Sequence, residues 1–553
     1  MMRVDLDADV IVVGAGSAGS VLAGRLVAGD PHLRVLLIEA GGRDWNPLLR
    51  VPLMTGVLLR NRYANWFYQT EPVPGLGGRR IPWPRGKVIG GSSAINGMVW
   101  SRGVPADYDG WAQRGLPDWG WDHVLAAYRG IERYRGPAPA VHGTDGPQPV
   151  ERPDGLDGLS QAFLEAGQQA GHRLLDDMND PEAEGVGRFD FTISGGRRVS
   201  AATAFLDPVR ARPGLRVLTR AHLLRVLIEG GRATGVEVLH RGGRLRCHAG
   251  AEVVLCCGAV NSPQALMLSG LGPGDALRRH GIDVVADLPG VGQNLQDHVL
   301  VRVEHDCRQP VTLHGLMRAD RAALALTRAL LAGRGPAARF PLEAGAILRS
   351  DPARHPADLQ AHFLPGLSTA AVRMPWTRAP STGHGFFANV YQLRPDTRGE
   401  IVLRSDDPLA APLIRPNYLS APGDIAALRR GVRLLREIFA QRAFDPFRGA
   451  ERNPGPQVQD DATLDRWIRT QATTVFHPVG TCAMGTGSMA VVDGRLRVAG
   501  IAGLRIADAS VMPAMPGCNT NAPSMMIGAR AADFIAESLG AARPPPEAAR
   551  RPA

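Results

Sequence analysis

The chain has 553 residues, more than one simple core holds, so two or more domains are expected. Hydrophobic residues at 44% and charged residues at 21% belong to a folded chain and exclude disorder throughout. The net charge of +10 could suit nucleic acid or an anionic surface, but the arginines are scattered without a basic stripe, so no nucleic-acid partner is expected.

Lys87 is the one lysine, which reads as a compositional bias rather than a functional one. The six cysteines (247, 256, 257, 307, 482 and 518) form no CxxC pair and have no histidine cluster beside them. No metal site is expected, and the thiols read as reduced residues of a cytoplasmic protein. The N-terminus lacks the h-region of a signal peptide, and no apolar run is long enough to span a bilayer. The Ala/Leu stretch 322–332, with Arg328, could lie on a surface, which leaves peripheral membrane contact open.

Along the chain, residues 9–13 (DVIVV) predict a buried parallel strand, 17–27 a helix and 35–38 a second strand, together a βαβ unit. A loop-rich stretch runs to Lys87, and residues 136–155 are dense in Pro and Gly. Short strands are predicted at 215–218, 223–228 and 235–239, with a turn at Gly230 and Gly231, and a buried strand at 252–257 followed by a helix to 268. From 301 to 474 the signals are mixed: helices at 318–332 and 424–440, strands at 386–393 and 400–404. A strand at 504–506, a helix at 524–539 and a Pro-rich disordered tail at 543–553 complete the reading.

Gly14, Ala15, Gly16, Ser17, Ala18 and Gly19 spell GxGxxG. The first Gly permits a tight turn, the second lets a pyrophosphate approach the backbone, and the third allows close packing of helix on strand. The helix N-terminus then offers free N–H groups and a positive dipole end. Glu39 follows Gly19 by twenty residues at the end of the next strand, the place of an acid that binds ribose hydroxyls. It disfavours NADP but does not separate NAD from FAD. Residues 90–97 (GGSSAING) form a loop whose glycines permit an unusual path and whose Ser92, Ser93 and Asn96 supply compact polar groups.

With these motifs the chain resembles a glucose–methanol–choline (GMC) oxidoreductase over nearly its whole length. The resemblance rests on 85–97 (RGKVIGGSSAING), 258–272 (GAVNSPQALMLSGLG), 101–111, 142–147, 289–298 (PGVGQNLQDH), 398–408, 477–485 (HPVGTCAMG) and 504–513 (LRIADASVMP). It implies FAD rather than NAD. The expected cofactor contacts are Gly14, Gly16, Ser17, Ala18, Gly19, Glu39 and Ala40, then Gly90, Ser92, Asn96, Gly97, Met98 and Val99, and Leu223, Asp508, Asn519 and Thr520. Ile95 stands where some relatives carry a flavin-linking His, so the FAD is expected to be non-covalent.

The expected fold class is α/β: a Rossmann-type FAD-binding domain (1–45, 80–135, 200–300 and 485–542) with a discontinuous α+β substrate-binding domain on an antiparallel sheet (46–79, 136–199 and 301–484).

His477 precedes Pro478, which biases its backbone away from helix and can aim the imidazole into a cleft. Imidazole can take an alcohol proton near neutral pH. Asn521, in the run 519–523 (NTNAP), is expected to orient the hydroxyl, and the resemblance puts His477 and Asn521 on the family's catalytic pair. Asp297 and His298 are read as structural.

The expected reaction is oxidation of a primary alcohol to an aldehyde, with proton transfer to His477 and hydride transfer to flavin N5. Phe476 and Glu343 are the expected substrate contacts. Glu343 could face a quaternary ammonium, which keeps choline as the runner-up. The electron acceptor is oxygen or a quinone-like carrier, with a dehydrogenase favoured on family frequency. A nicotinamide dehydrogenase, a light-driven decarboxylase and a non-catalytic flavin-binding module are the rival readings.

Overall fold

The apolar strand Leu6–Val13 lies at the centre of a mixed sheet in a computed structural model that describes residues 6–136, 141–374 and 383–540. Val10, Ile11, Val12 and Val13 pair in parallel with Val35–Glu39 on one side and Gly243–Leu255 on the other. Leu215–Thr219 extends the parallel part beyond Val35–Glu39. Ala221–Glu229 and Arg232–His240 form a hairpin that continues antiparallel onto Gly243–Leu255. Its turn residues Gly230 and Gly231 have φ of 56° and 74°, which favours glycine at both. Leu504–Ile506 completes seven strands by pairing in parallel with Val253, Val254 and Leu255.

Several parallel strands therefore end on one edge. Gly14, Glu39, Cys256 and Ala507 stand there, at or just past their strand ends, and that edge is where an open α/β sheet takes ligands. The helices Ser17–Gly29 and Asn521–Ser538 pack closely over it. A Cβ on Gly528 would meet the Ala18 carbonyl oxygen at 2.4 Å.

The second sheet has eight strands and is mostly antiparallel. At its centre Val299–Cys307 pairs with Gly385–Gln392, which pairs with Leu359–Leu364, which pairs with Ala344–Leu348. Thr473–Thr474 pairs on the start of Val299–Cys307. Side chains alternate between the two faces. Val299, Val301, Val303, Phe386, Ala388, Val390, Ala361 and Phe363 belong to one buried cluster, shared with Leu428, Leu435 and Phe439 of helix Pro422–Phe439 and with Phe163 of helix Gly158–Gln169. The opposite face carries two cross-strand rows: Leu300, Tyr391 and Gln360, then Arg302, Asn389 and His362. This polar face looks toward the first sheet's loaded edge.

The strands predicted in the first sheet are present, with ends moved by a few residues. The strand expected at 252–257 is instead Gly243–Leu255, because its first half is hairpin rather than buried core. Val299–Cys307, Ala344–Leu348 and Leu359–Leu364 carried no clear sequence signal. All six cysteines are free thiols. Helix Ala319–Ala332 exposes Leu324 and Leu331, and among the described residues no helix is long and apolar enough to cross a membrane. The tail at 543–553 lies outside the described residues.

Candidate active site

One cavity of about 720 Å³ runs from the glycine turn to His477. At its first end Gly14 has φ +103°, and a Cβ there would lie 2.4 Å from the Cys256 carbonyl oxygen. A Cβ on Gly19 would lie 2.0 Å from the Gly14 oxygen, so Gly19 serves helix–strand packing and stands behind the wall. A Cβ on Gly16 would meet nothing within 4 Å: the turn is open toward the cavity at that residue. Ser17 and Ala18 line the cavity at the start of a helix that has no side-chain cap, so its first N–H groups are free for an anion.

Glu39 and Ala40 border this end. Glu39 accepts hydrogen bonds from the Ala15 N–H (3.0 Å) and the Gly41 N–H (2.7 Å), and burial raises its carboxyl to about 7. Asp508 accepts from the Gly258 N–H (2.8 Å), the Ser262 hydroxyl (2.5 Å) and the Ser510 N–H (2.7 Å); burial raises its pKa as well.

The GGSS loop lies directly on the glycine turn. The Gly90 N–H donates to the Ala15 carbonyl (2.7 Å), and a Cβ on Gly91 would come within 2.6 Å of the Gly16 Cα. Gly90 is thus an anchor behind the cavity, while Ser92, Ile95, Asn96, Gly97, Met98 and Val99 line it. Asn96 accepts from the Met98 N–H and from Arg198 through its side-chain oxygen (3.0 and 2.8 Å), which fixes the amide's orientation. Leu223 lines the wall beyond.

At the far end His477 is held through its neighbours. Asp297 accepts from the His477 N–H (2.7 Å), the His298 N–H (2.9 Å), the Thr474 hydroxyl (2.5 Å) and the Tyr418 hydroxyl. Phe476 lines the cavity with φ +67°, an uncommon conformation for a bulky residue, and its carbonyl accepts from Arg85 (2.6 Å).

The imidazole contacts decide the proton positions. His298 Nε2 lies 3.0 Å from the Leu393 carbonyl oxygen, which can only accept, so Nε2 carries the hydrogen. Burial lowers the pKa of His298 to about 4, so the ring is neutral and its Nδ1 is a bare acceptor. That Nδ1 stands 3.0 Å from Nδ1 of His477, which must therefore donate. Burial first, then repulsion from His298 and His362 in acid solution and from the charged Arg85, holds the His477 pKa well below its ordinary value, so His477 too is neutral. Its Nε2 is then an unprotonated lone pair. Asn519 Nδ2 faces that atom at 3.3 Å, and the Asn519 oxygen accepts from Gln360 Nε2 (3.2 Å).

This corrects the expected pair. Asn521 does not meet His477: its oxygen accepts from the Ser17 hydroxyl (2.7 Å), at the other end of the cavity. The helix Asn521–Ser538 begins between the two asparagines, with Thr520 at its N-cap. Asn519 precedes the helix and reaches the sheet face, whereas Asn521 sits in the first turn beside the glycine-turn helix. Glu343 is also corrected. It ion-pairs with Arg339 (2.5 Å) and Arg188 (3.5 Å) and does not line the cavity. In this extended stretch Phe340 and Leu342 face inward, so Glu343 faces away. Asp297 and His298, read as structural, instead hold and orient His477.

Family models described as GMC oxidoreductase match residues 8–300 and 395–528. The chain belongs to the GMC oxidoreductase family. The chain is 43% identical over 534 residues to an oxygen-dependent choline dehydrogenase of Brucella ovis, covering 96% of each. Over 536 residues it is 44% identical to a mitochondrial choline dehydrogenase of Mus musculus, covering 95% of this chain and 89% of that one. The solved pyridoxine 4-oxidase from Mesorbium loti superposes with a TM-score of 0.85 at 33% identity, covering 95% of this chain and 98% of that one.

The protein is accordingly a GMC oxidoreductase that uses FAD and acts on CH–OH groups. Its own residues fit the cofactor. The opening at Gly16, the uncapped helix start and the ribose-type acid Glu39 are the features a dinucleotide needs. The rest of the cavity, past the GGSS loop to His477, gives length for a flavin and a small alcohol.

Proposed function

We propose that the protein oxidises a primary alcohol to its aldehyde, with His477 as the base and Asn519 as the group that holds the oxygen. The observation that carries this reading is the relay Leu393–His298–His477, which leaves a lone pair on His477 Nε2 in the cavity. The alcohol O–H donates to Nε2 and accepts from Asn519 Nδ2. His477 takes the hydroxyl proton as the hydride leaves the carbon, so the product is an aldehyde. Bound FAD supplies the hydride acceptor. Asn519 stabilises charge developing on the oxygen and is itself held by Gln360. Phe476, the residue before His477, adds an apolar wall at the reacting end.

The residues that would hold FAD are Gly14, Gly16, Ser17, Ala18, Glu39, Ala40, Ser92, Asn96, Gly97, Met98, Val99, Leu223, Asp508 and Thr520, with Asn521 braced on Ser17. Ile95 is an alkyl neighbour without a nucleophile, so the cofactor is non-covalent. The electrons pass on to oxygen or a quinone-like carrier.

The second reading is oxidation of choline, favoured by the names of the Brucella and mouse relatives. Against it, the described acids that line the cavity are Glu39 and Asp508, both taken up by backbone N–H groups at the dinucleotide end. Anaerobic mixing with a panel of alcohols tests the reading. Bleaching of the flavin by neutral primary alcohols supports it; bleaching by choline alone, or by no alcohol, overturns it.

A further inference from the structure

The polar face of the second sheet ends the cavity with positive charge. Arg302 follows Leu300 on the same face of Val299–Cys307, and both line the cavity. Its Nε donates to the Asn389 oxygen (2.9 Å), and its guanidinium lies 4.1 Å over the Phe387 ring. These contacts fix the plane of the group and leave both Nη atoms without a hydrogen-bond or ion-pair partner among the described residues. Arg60, exposed at the mouth of the same cavity, adds a second guanidinium close enough to repel Arg302. Arg60 likewise has no ion-pair partner among the described residues.

One acid acts on this charge from outside the cavity. Glu304, two residues along the strand, attracts Arg302 more strongly than Arg60 repels it, but it accepts from the Ser368 N–H (2.8 Å), forms no ion pair with Arg302 and does not line the cavity. Arg85 also lines the cavity, but its bonds go to the Pro84 and Phe476 carbonyls and its charge faces Asp297. A half-buried, pre-oriented guanidinium fork with no acid bonded to it is a carboxylate receptor in geometry and chemistry.

We propose that Arg302 and Arg60 bind the carboxylate of an alcohol whose hydroxyl lies at His477, so that the enzyme prefers an anionic hydroxy acid to a neutral or cationic alcohol. The inference rests on the reading of His477 and Asn519 given above. It also sets the spacing. Tyr391, stacked edge-on to His477, and Asn389, bonded to Arg302, are two residues apart, a rise of about 7 Å along a strand. A rigid para-substituted benzyl alcohol spans a gap of that order.

The test compares 4-(hydroxymethyl)benzoate with its methyl ester, with benzyl alcohol and with choline, by anaerobic flavin bleaching and by kcat/KM of the FAD-loaded enzyme. The expected acid-to-ester ratio of kcat/KM is tenfold or more, carried mainly by KM. Arg302→Met brings the ratio at least tenfold nearer to one, and Arg302→Lys restores part of it. Should Arg302→Met fail to retain flavin, Arg60→Met and the wild-type ratio at high salt take its place; both are expected to lower it. A wild-type ratio at or below one overturns the proposal, as does a ratio indifferent to both arginines. Bleaching by the ester and benzyl alcohol without preference for the acid leaves the alcohol reading intact and sinks this one; bleaching by none of the four removes both.

Discussion

His298 and His477 meet Nδ1 to Nδ1 at 3.0 Å, and a single arrangement of protons makes that contact a hydrogen bond between neutral rings. The backbone carbonyl of Leu393 fixes it from behind. On the proposed mechanism His298 is a positioning residue, acting on the substrate through the tautomer it imposes on His477.

Replacing His298 tests this tautomer control. Gln can donate to the Leu393 carbonyl and accept from His477 Nδ1, whereas Leu can do neither. His298→Leu is expected to lose at least tenfold in kcat, with His298→Gln recovering most of it. The acid limb of the pH–rate profile should shift in His298→Leu, which a purely structural role would not produce.

The two asparagines separate by function. Asn519→Ala removes the donor beside His477 Nε2 and should lower kcat by about 10² to 10³, as loss of an oxyanion-type donor does. Asn521→Ala breaks the bond to Ser17 and should weaken FAD retention more than it slows bound enzyme. Flavin content after gel filtration, with kcat per bound flavin, distinguishes them. The reverse pattern would restore the pairing expected from the sequence.

The βαβ turn was legible because its signals are local: a β-branched run, three glycines and an acid at fixed spacing. The central strands of the second sheet were not. Val299–Cys307 is buried or half-buried along its whole length, so the alternation that marks a strand is blurred. Choosing Asn519 over Asn521 required knowing where the last helix starts, a boundary that sequence fixes poorly. Glu343 had a readable warning in Arg339 four residues before it. His298 and Arg302 had none, since their meaning comes from cross-strand neighbours distant in sequence.

Loop-on-turn packing predicts a cofactor defect. Gly91 has φ +52° and no room for a Cβ against Gly16. Gly91→Ala should displace the GGSS loop and yield protein with little bound FAD and a lower Tm. Gly130→Ala, at an exposed helical position away from the cavity where a Cβ meets nothing within 4 Å, is the control and should retain its flavin. Absorbance per protein and thermal melting read both.

The pH dependence follows from burial. The His477 pKa lies well below its ordinary value, so its imidazole stays unprotonated as pH falls through 6.5. The kcat/KM should be level from pH 8 to 6.5 and fall in more acid solution. Stability moves in the same direction for a related reason. His298 and His362 have native values of about 4 and about 3, so below 6.5 the unfolded chain binds protons that the folded one refuses. Each therefore contributes a loss of stability that begins near pH 6.5 and is complete below its native value. His362→Phe should lose less Tm between pH 7 and 5 than the parent protein.

The central claim is that the neutral imidazole of His477 takes the alcohol proton. Its most direct test is the anaerobic rate of flavin bleaching by a saturating primary alcohol in FAD-loaded His477→Ala. A fall of at least 10² with flavin content unchanged is the predicted result, in line with general-base catalysis; a rate within about threefold of the parent enzyme would contradict it.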